Sequence, residues 1–156
     1  IILLSNTMVT ELNSLRPIGV RSYASDKPQQ IEFFSPLTII LGNNGAGKTT
    51  IIEALKFAST GAQPPLSDAG KRFVHDPKLS GTGTVKAQIK LSFTQSSGRV
   101  VHVEKRFQVS TTKTGQSFKQ IDATLRAHDP ATQERVTTTN RCSDVEKEVP
   151  LLLGVS

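Results

Sequence analysis

The fold of this chain is decided by residues 38–55, which read TIILGNNGAGKTTIIEAL. The stretch contains the spacing G-x-x-x-x-G-K-[ST], with Gly42, Gly47, Lys48 and Thr49 at its fixed positions. An apolar run rich in β-formers precedes these residues and a helical pattern follows them, which is the context of a phosphate-binding loop. The sequence therefore predicts a strand, a phosphate loop and a helix, in that order.

The residue types of the loop suit a bound triphosphate. Glycines let the backbone curl so that successive N–H groups point at a phosphate, and the new helix adds the positive end of its dipole. On this interpretation Lys48 reaches the β- and γ-phosphates of ATP and the Thr49 hydroxyl binds Mg²⁺. The residues predicted to bind the nucleotide are Asn43, Asn44, Gly45, Ala46, Gly47, Lys48, Thr49 and Thr50. The alternative is a glycine-rich turn with a solvated lysine. That alternative does not explain why a cation stands at a helix N-terminus, where the helix dipole disfavours positive charge.

Length and composition are those of one domain with a buried core. The chain has 156 residues, begins at Ile1 and has its single methionine at Met8, so we expect residues 1–11 to be flexible or foreign to the native protein. The apolar start is too short to span a membrane or to act as a signal sequence, and no membrane partner is expected. Cys142 is the single cysteine, which excludes an internal disulfide and suits a soluble protein of a reducing compartment.

The positive charge is concentrated in one part of the chain. The net charge is +6, and residues 71–119 alone hold ten Lys or Arg against two acidic residues, a net of +8. Such a basic block favours a polyanionic partner, with nucleic acid first and a phosphorylated protein second. A solvated basic face without a specific partner is the alternative.

The apolar patterns predict two strands before the buried strand that enters the loop. The first strand covers residues 12–23 and should be an edge strand or carry a break at Pro17, which lacks an N–H donor. The predicted strands at 30–34 and 37–41 follow, the latter buried on both faces. The loop helix is expected over 49–60 with Gly61 as its left-handed cap. Its sheet-facing residues are predicted to be Ile51, Ile52, Leu55 and Ala58, with Glu53 and Lys56 facing outward.

The second half of the chain predicts an antiparallel meander. Alternating apolar residues indicate strands at 85–93, 100–109 and 118–126. Lys105 interrupts one apolar face, so we expect it near an edge or at the end of the buried region. In the third strand Ile121, Ala123 and Leu125 are expected to face inward. A short strand at 135–138 and a helix from about residue 144 follow, the helix with a capping box at residues 143–146 and limited or kinked by Pro150.

The stretch FVHDP at residues 73–77 holds a His-Asp pair just before a proline. His75 and Asp76 could orient a ligand. Residues of this type before a proline are also common turn formers, and that alternative is the more frequent one.

Taken together, these residues resemble the N-terminal segment of eukaryotic Rad-fifty proteins, ATPases of DNA double-strand-break repair related to SbcC and SMC proteins. The resemblance covers residues 15–156. Its matching stretches are IGVRSY at 18–23, FFSPLTI at 33–39, GNNGAGKTTIIE at 42–53, FVHDPK at 73–78 and LGVS at 153–156. The loop fits any ABC-type ATPase, whereas FVHDP is specific to this family. The closest alternatives are another ABC-type ATPase, such as an SMC or RecF-like protein, and more distantly a P-loop kinase.

The resemblance implies an α/β fold: the N-terminal half of an ABC-type ATPase head, residues 12–156, with a mixed sheet around the phosphate-loop helix and an antiparallel β-meander. Arg21 matches an arginine that approaches the nucleotide, and Asn44 matches a loop asparagine that contacts the phosphates. Without the resemblance, Arg21 would be a surface arginine of an edge strand. The glutamine loop, the opposing-head motif and the acidic strand that hydrolysis requires are not found in the sequence, so we expect this segment alone to bind ATP–Mg²⁺ without hydrolysing it.

The implied partners are the C-terminal half of the same head, a second head joined in an ATP-dependent dimer, an Mre-eleven-type nuclease, DNA and a phosphorylated nuclease co-activator. The implied location is the nucleus. A surface for DNA or a phosphoprotein is predicted on the outer face of the meander and near it. Its residues are Lys27, Lys86, Lys90, Arg106 and Lys113.

Overall fold

A computed structural model of the chain describes residues 1–5, 10–24, 26–77, 81–139 and 141–154. The strands of this part are β1 (Ile2–Ser5), β2 (Thr10–Ile18), β3 (Ile31–Glu32), β4 (Leu37–Ile40), β5 (Thr84–Gln95), β6 (Val100–Thr112), β7 (Gly115–His128) and β8 (Arg135–Thr139). Its helices are α1 (Lys48–Thr60) and α2 (Cys142–Leu153), and a 3-10 turn covers Lys71–Phe73. No helix among these residues is long and apolar enough to cross a membrane.

A six-stranded sheet carries the fold, in the order β3-β2-β5-β6-β7-β8 with antiparallel pairing throughout. The hairpins β5-β6 and β6-β7 confirm the predicted meander. α1 packs on β2, β5 and β6, while α2 packs on β7 and on α1. The helices thus cover one face of the sheet and leave the other to solvent, which confirms an α/β fold with a half-buried antiparallel sheet.

The prediction made from Pro17 holds only locally. β2 has a neighbour on each side and runs unbroken through Pro17, and it covers Thr10–Ile18 instead of the predicted residues 12–23. Pro17 pairs with Ile89 of β5, whereas β3 on the other side pairs only with Ser14 and Leu15. Pro17 therefore lies where β2 has an open edge among the described strands, and its missing N–H breaks no ladder.

β4 is more exposed than the sequence predicted. It pairs with β1 in a separate two-stranded sheet. The exposed fractions of Leu37, Ile39 and Leu41 are 46%, 54% and 69%. The prediction of a strand buried on both faces is wrong for the described chain, because none of its elements covers these side chains.

The start of the chain pairs with two strands. Residues 1–11 were expected to be flexible or foreign to the native protein; of the described ones, Ile2–Ser5 pairs with β4, and Thr10 and Glu11 pair with β5. The edge of β4 explains the first pairing, since a strand with open N–H and C=O groups accepts a neighbouring segment of extended chain. Four strands therefore precede the loop where three were predicted.

The core between α1 and the sheet is aromatic. Phe57, Phe73 and Phe107 are buried, with ring centroids 5.1 to 5.8 Å apart. The helix buries Ile51 and Ala58 as predicted, whereas Ile52 and Leu55 are only half-buried. The predicted face is rotated slightly, because Phe57 fills the space above the sheet.

A bulge in β7 corrects the prediction for Ile121. Arg106 pairs with Asp122 and Phe107 with Gln120, so Ile121 has no residue opposite it. The extra residue changes which side chains face the helices beyond it. Ile121 is 44% exposed, while Ala123 and Leu125 are buried as predicted.

α2 begins near the predicted position but without the predicted capping box. Arg141 is its N-cap residue and makes no side-chain cap hydrogen bond, while the Ser143 hydroxyl donates to Asp144 Oδ1. The helix continues through Pro150 and ends at Leu153, followed by the C-cap residue Gly154 with a left-handed φ of 72°. The last two residues of the LGVS match lie outside the described residues.

Candidate functional site

The turn between β4 and α1 has the backbone that its glycines predict. Gly45 and Gly47 both have φ of 84°, and α1 starts directly at Lys48. The Ala46 N–H donates to Asn43 O at 3.2 Å, which closes the turn. A side chain at Gly45 would meet nothing within 4 Å, whereas one at Gly47 would lie 3.2 Å from the ring of Tyr23. The loop is thus open at its tip and packed where it enters the helix.

Several backbone donors of the loop have no acceptor in the described part of the chain. They are the amides of Gly45, Gly47, Lys48, Thr49 and Thr50. The first residues of a helix always leave N–H groups without an intrahelical partner, and these groups combine with the helix dipole to attract anions. The arrangement is therefore suited to a phosphate group.

Lys48 folds back over the loop. Its Nζ donates to Gly42 O at 2.6 Å and to Asn43 O at 2.7 Å. These two bonds hold the ammonium group against the loop carbonyls, and Lys48 lines the same cleft as most of the residues with unpaired amides. The Thr49 hydroxyl is exposed and has no hydrogen-bond partner among the described residues, so it is available as an oxygen ligand for a hard cation such as Mg²⁺.

A cleft of about 440 Å³ brings most of the predicted nucleotide-binding residues together. Its lining consists of Arg21, Ser22, Asn44, Gly45, Gly47, Lys48, Thr49 and Thr50. Asn43 and Ala46 were also predicted but do not line it, although the Asn43 carbonyl accepts from both Lys48 and Ala46. Ser22 was not predicted. It lies next to Arg21 in sequence, which is the one signal that could have found it.

Arg21 reaches the cleft from the end of β2 in a left-handed conformation, with φ of 46°. Its Nη1 lies 2.5 Å from Glu53 Oε2 on α1, and its guanidinium lies 6.0 Å from the ring centroid of Phe73. The side chain of Glu53 is only 14% exposed, so the prediction that it faces outward is wrong. Its partner comes from a loop that the helical pattern alone cannot show.

His75 anchors the backbone of the same turn. The ring Nδ1 of His75 lies 2.5 Å from Arg21 O, and the backbone N–H of His75 donates to Gly19 O at 2.9 Å. The Arg21 N–H donates in turn to Phe73 O at 3.0 Å. Of the two alternatives for the His-Asp pair, the turn-forming role is the one that these contacts support for His75. The left-handed conformation of Arg21 is held from both sides.

Tyr23 completes the wall of the loop. Val20 and Tyr23 exchange two backbone hydrogen bonds of 3.1 and 2.8 Å, which places the ring against Gly47. Burial raises the pKa of the Tyr23 hydroxyl above its usual value. It therefore remains neutral near the loop at physiological pH.

The meander residues predicted for the DNA or phosphoprotein surface, Lys86, Lys90 and Arg106, lie on the outer face of the sheet. Lys86 is exposed, but Lys90 Nζ lies 3.5 Å from Glu104 Oε2. Arg106 Nε lies 3.5 Å from Glu104 Oε1 and 2.8 Å from Asp122 Oδ1. Acidic neighbours therefore offset part of this positive charge. Of the other predicted members, Lys27 is exposed before β3 and Lys113 at the tip of the β6-β7 hairpin.

A second basic group at the other end of this face was not predicted. His102, Arg126, His128 and Arg135 line a cleft of about 580 Å³. The pKa of His102 is lowered by burial and, to a smaller extent, by the nearby charges of His128 and Arg126. The pairing of His102 with Arg126 across β6 and β7 explains why the sequence did not reveal the group, since the register joins residues 24 positions apart.

Comparisons with known proteins agree with this site. The family model described as AAA domain matches residues 14–153. The chain is 44% identical to the DNA repair protein RAD50 of Arabidopsis thaliana over 88% of this chain and 10% of that protein. It is 42% identical to the RAD50 of Dictyostelium discoideum over 95% of the chain and 11% of that protein. The RecF protein of Streptococcus gordonii is 33% identical over 57% of the chain and 26% of that protein. The chain thus spans about a tenth of the length of these RAD50 relatives, and the resemblance to the Rad-fifty family is confirmed.

Proposed function

Since the chain belongs to the AAA domain family and resembles the N-terminal ATPase head segment of RAD50 proteins, we propose that it binds ATP with Mg²⁺ at residues 42–50. The observation that carries this proposal is the row of unpaired amides at the N-terminus of α1, in a cleft that Lys48 also lines. Donors in this arrangement match the oxygens of a β- or γ-phosphate and have no other acceptor in the described chain.

Each residue of the cleft then has one task. The amides from Gly45 to Thr50 hold the phosphate chain, and Lys48 neutralises the terminal phosphate by exchanging a loop carbonyl for a phosphate oxygen. The Thr49 hydroxyl binds Mg²⁺, which when bound neutralises charge between the phosphates. Arg21 faces the nucleotide from the opposite wall, held by Glu53.

The test compares Lys48→Ala with Lys56→Ala, which removes an exposed lysine from the same helix. We expect Lys48→Ala to weaken binding of a fluorescent ATP analogue about ten- to a hundredfold, because one or two charge-assisted hydrogen bonds are lost. In the full-length protein the same variant should abolish nucleotide-dependent head dimerisation, measured by small-angle scattering. Equal affinity or equal dimerisation in Lys48→Ala and Lys56→Ala contradicts the proposal.

We further propose that the segment is half of a head that its C-terminal half completes. The exposed apolar side chains of Leu37, Ile39 and Leu41 on β4 supply a surface for that half. The chain spans about a tenth of the length of its RAD50 relatives, and those relatives are long enough to include such a C-terminal half. For the whole protein we propose a role in DNA double-strand-break repair in the nucleus. In that role it would hydrolyse ATP, pair with a second head, bind an Mre-eleven-type nuclease and use ATP to gate the activity of that nuclease.

A second candidate function is a platform for DNA or a phosphorylated co-activator on the outer face of the sheet. The observation that favours it is the exposed lysine and arginine side chains of β5 and β6. Affinity for duplex DNA should fall with rising salt, with a slope about one unit smaller for each contacting lysine removed. Because Glu104 already pairs with Lys90, we expect Lys86→Ala to change the slope more than Lys90→Ala. An unchanged salt slope in a variant that carries both Lys86→Ala and Lys90→Ala contradicts the platform.

A further inference from the structure

Lys105 occupies an unusual position for a lysine. It lies on β6 on the face that the helices cover, and its side chain is completely buried. The sequence predicted an edge or the end of burial at this point, and that prediction is wrong. A fully buried lysine is rare unless its charge is paired, because transfer of an ammonium group out of water costs several kcal/mol.

Three groups compensate the charge of Lys105: the Phe57 carbonyl, the Phe57 ring and the Glu146 carboxylate. Its Nζ donates to Phe57 O in the last turn of α1 at 2.9 Å and lies 5.2 Å from the centroid of the Phe57 ring. Glu146 Oε1 on α2 lies 3.9 Å away. Cys142 on α2 is the other titratable group that faces it. One side chain of the sheet therefore contacts both helices.

The Glu146 side chain of α2 also packs against the backbone at the end of α1. Gly61 caps α1 with φ of 74°, and its N–H donates to the same Phe57 carbonyl at 2.9 Å. A Cβ at Gly61 would lie 2.5 Å from Glu146 Cδ. α2 is thus pressed against the end of α1, and Glu146 is held there by Lys105 and by Gln120 Nε2 at 3.3 Å.

We propose that Lys105 is a positioning residue of the nucleotide site, which fixes the phosphate-loop helix at its far end and links it to α2. This inference rests on the proposed function. If the inference holds, the packing of α2 depends on bound nucleotide, which the residues of the phosphate loop alone do not imply.

The length of α1 is the reason for a remote effect. Its 13 residues make a rigid rod of about 20 Å, with Lys48 and Thr49 at one end and the Lys105 contact near the other. Displacement of the rod by about 1 Å moves the loop amides and the lysine together, and errors of that size are costly at a phosphate site. Linkage is reciprocal, so if the contact with α2 strengthens nucleotide binding, nucleotide strengthens the contact with α2 by the same factor.

The experiment uses the full-length protein with three variants. Lys105→Met removes the charge at similar volume, Glu146→Gln removes the partner on α2, and Lys119→Met is the matched control at an exposed lysine of β7. Affinity for a fluorescent ATP analogue with Mg²⁺ is measured from pH 7 to pH 9.5, and hydrogen exchange of the α2 amides is followed with and without nucleotide.

We expect Lys105→Met to weaken nucleotide binding about fivefold or more at pH 7 and to remove the nucleotide-dependent protection of α2. Burial lowers the pKa of Lys105 to about 8, so in the unmodified protein affinity should fall as the pH rises through that value, and Lys105→Met should not show this fall. A purely structural role would not reproduce the pH profile. Glu146→Gln should act in the same direction, and because Glu146 is a third exposed it keeps the test decisive if Lys105→Met does not fold.

The outcomes separate the two proposals. Failure of the unmodified protein to bind nucleotide overturns the proposed function and this inference with it. Binding that is equal in Lys105→Met, Glu146→Gln and Lys119→Met, with unchanged exchange of α2, overturns the inference alone and leaves the loop assignment standing.

Discussion

The stability of the chain should rise with pH between about pH 8 and pH 10.5 because of Lys105. The pKa of this lysine is lowered from 10.5 to about 8, chiefly by burial, with Glu146 opposing the shift. In that interval the unfolded chain binds a proton that the native chain has released, so the free energy of unfolding increases with pH. A shift of this size corresponds to about 3 kcal/mol at 1.36 kcal/mol per pKa unit.

The assay is urea unfolding of the chain, followed by circular dichroism at several pH values, for the unmodified chain, Lys105→Met and Lys119→Met. Tyr23 and Cys142 titrate in the same range, and because burial raises the pKa of each, their contribution falls as the pH rises. Subtracting the Lys105→Met curve from that of the unmodified chain removes the contributions of Tyr23 and Cys142. The difference between the two proteins should grow by about 3 kcal/mol from pH 8 to pH 10.5, whereas Lys119→Met should follow the unmodified chain. Parallel curves for the unmodified chain and Lys105→Met would refute the reasoning.

Three further changes test other contacts. Glu53→Gln should weaken ATP binding about threefold to tenfold, because Arg21 loses its charged partner; Glu32→Gln at an exposed position is the control, and equal affinities would rule out the role of the pair. Gly61→Ala should lower the free energy of unfolding by about 1–3 kcal/mol, because φ of 74° is strained for alanine and the new Cβ meets Glu146; a loss below about 0.5 kcal/mol in urea unfolding would show that the helices separate easily. Phe107→Ala should cost about 3–5 kcal/mol in the same assay, since its ring packs on two other buried rings, and a smaller loss would mean that the core collapses around the cavity.

Local patterns predicted the elements that local physics determines. The glycine spacing around Lys48 predicted a curled loop followed by a helix start, and the structure has positive φ at Gly45 and Gly47 with α1 directly after them. The strict alternation from Val85 to Phe93 predicted a half-buried strand, and β5 buries the expected side. Both signals come from residues that are neighbours in sequence, so no tertiary information was needed.

The features that the sequence did not predict depend on partners far away in the chain. The burial of Lys105 needs Phe57 and Glu146, which are 48 and 41 positions away. The outward assignment of Glu53 was wrong because Arg21 approaches it from another loop. Ile121 was misplaced because a bulge changes the face of a strand without leaving a composition signal. Periodicity reports which residues share a face, but not what covers that face.

The order of the strands has a consequence for how the protein matures during synthesis. β5, β6 and β7 each pair with the next strand along the chain, so the part from β5 to β8 forms through short-range contacts and should fold fast. The phosphate loop is made earlier, yet α1 buries Ala54 and Phe57 against strands that leave the ribosome later. Domains acquire their structure as chain is supplied at about 5–20 residues per second. The phosphate loop is therefore synthesised early, but it can adopt its binding conformation only after the sheet that supports α1 has left the ribosome.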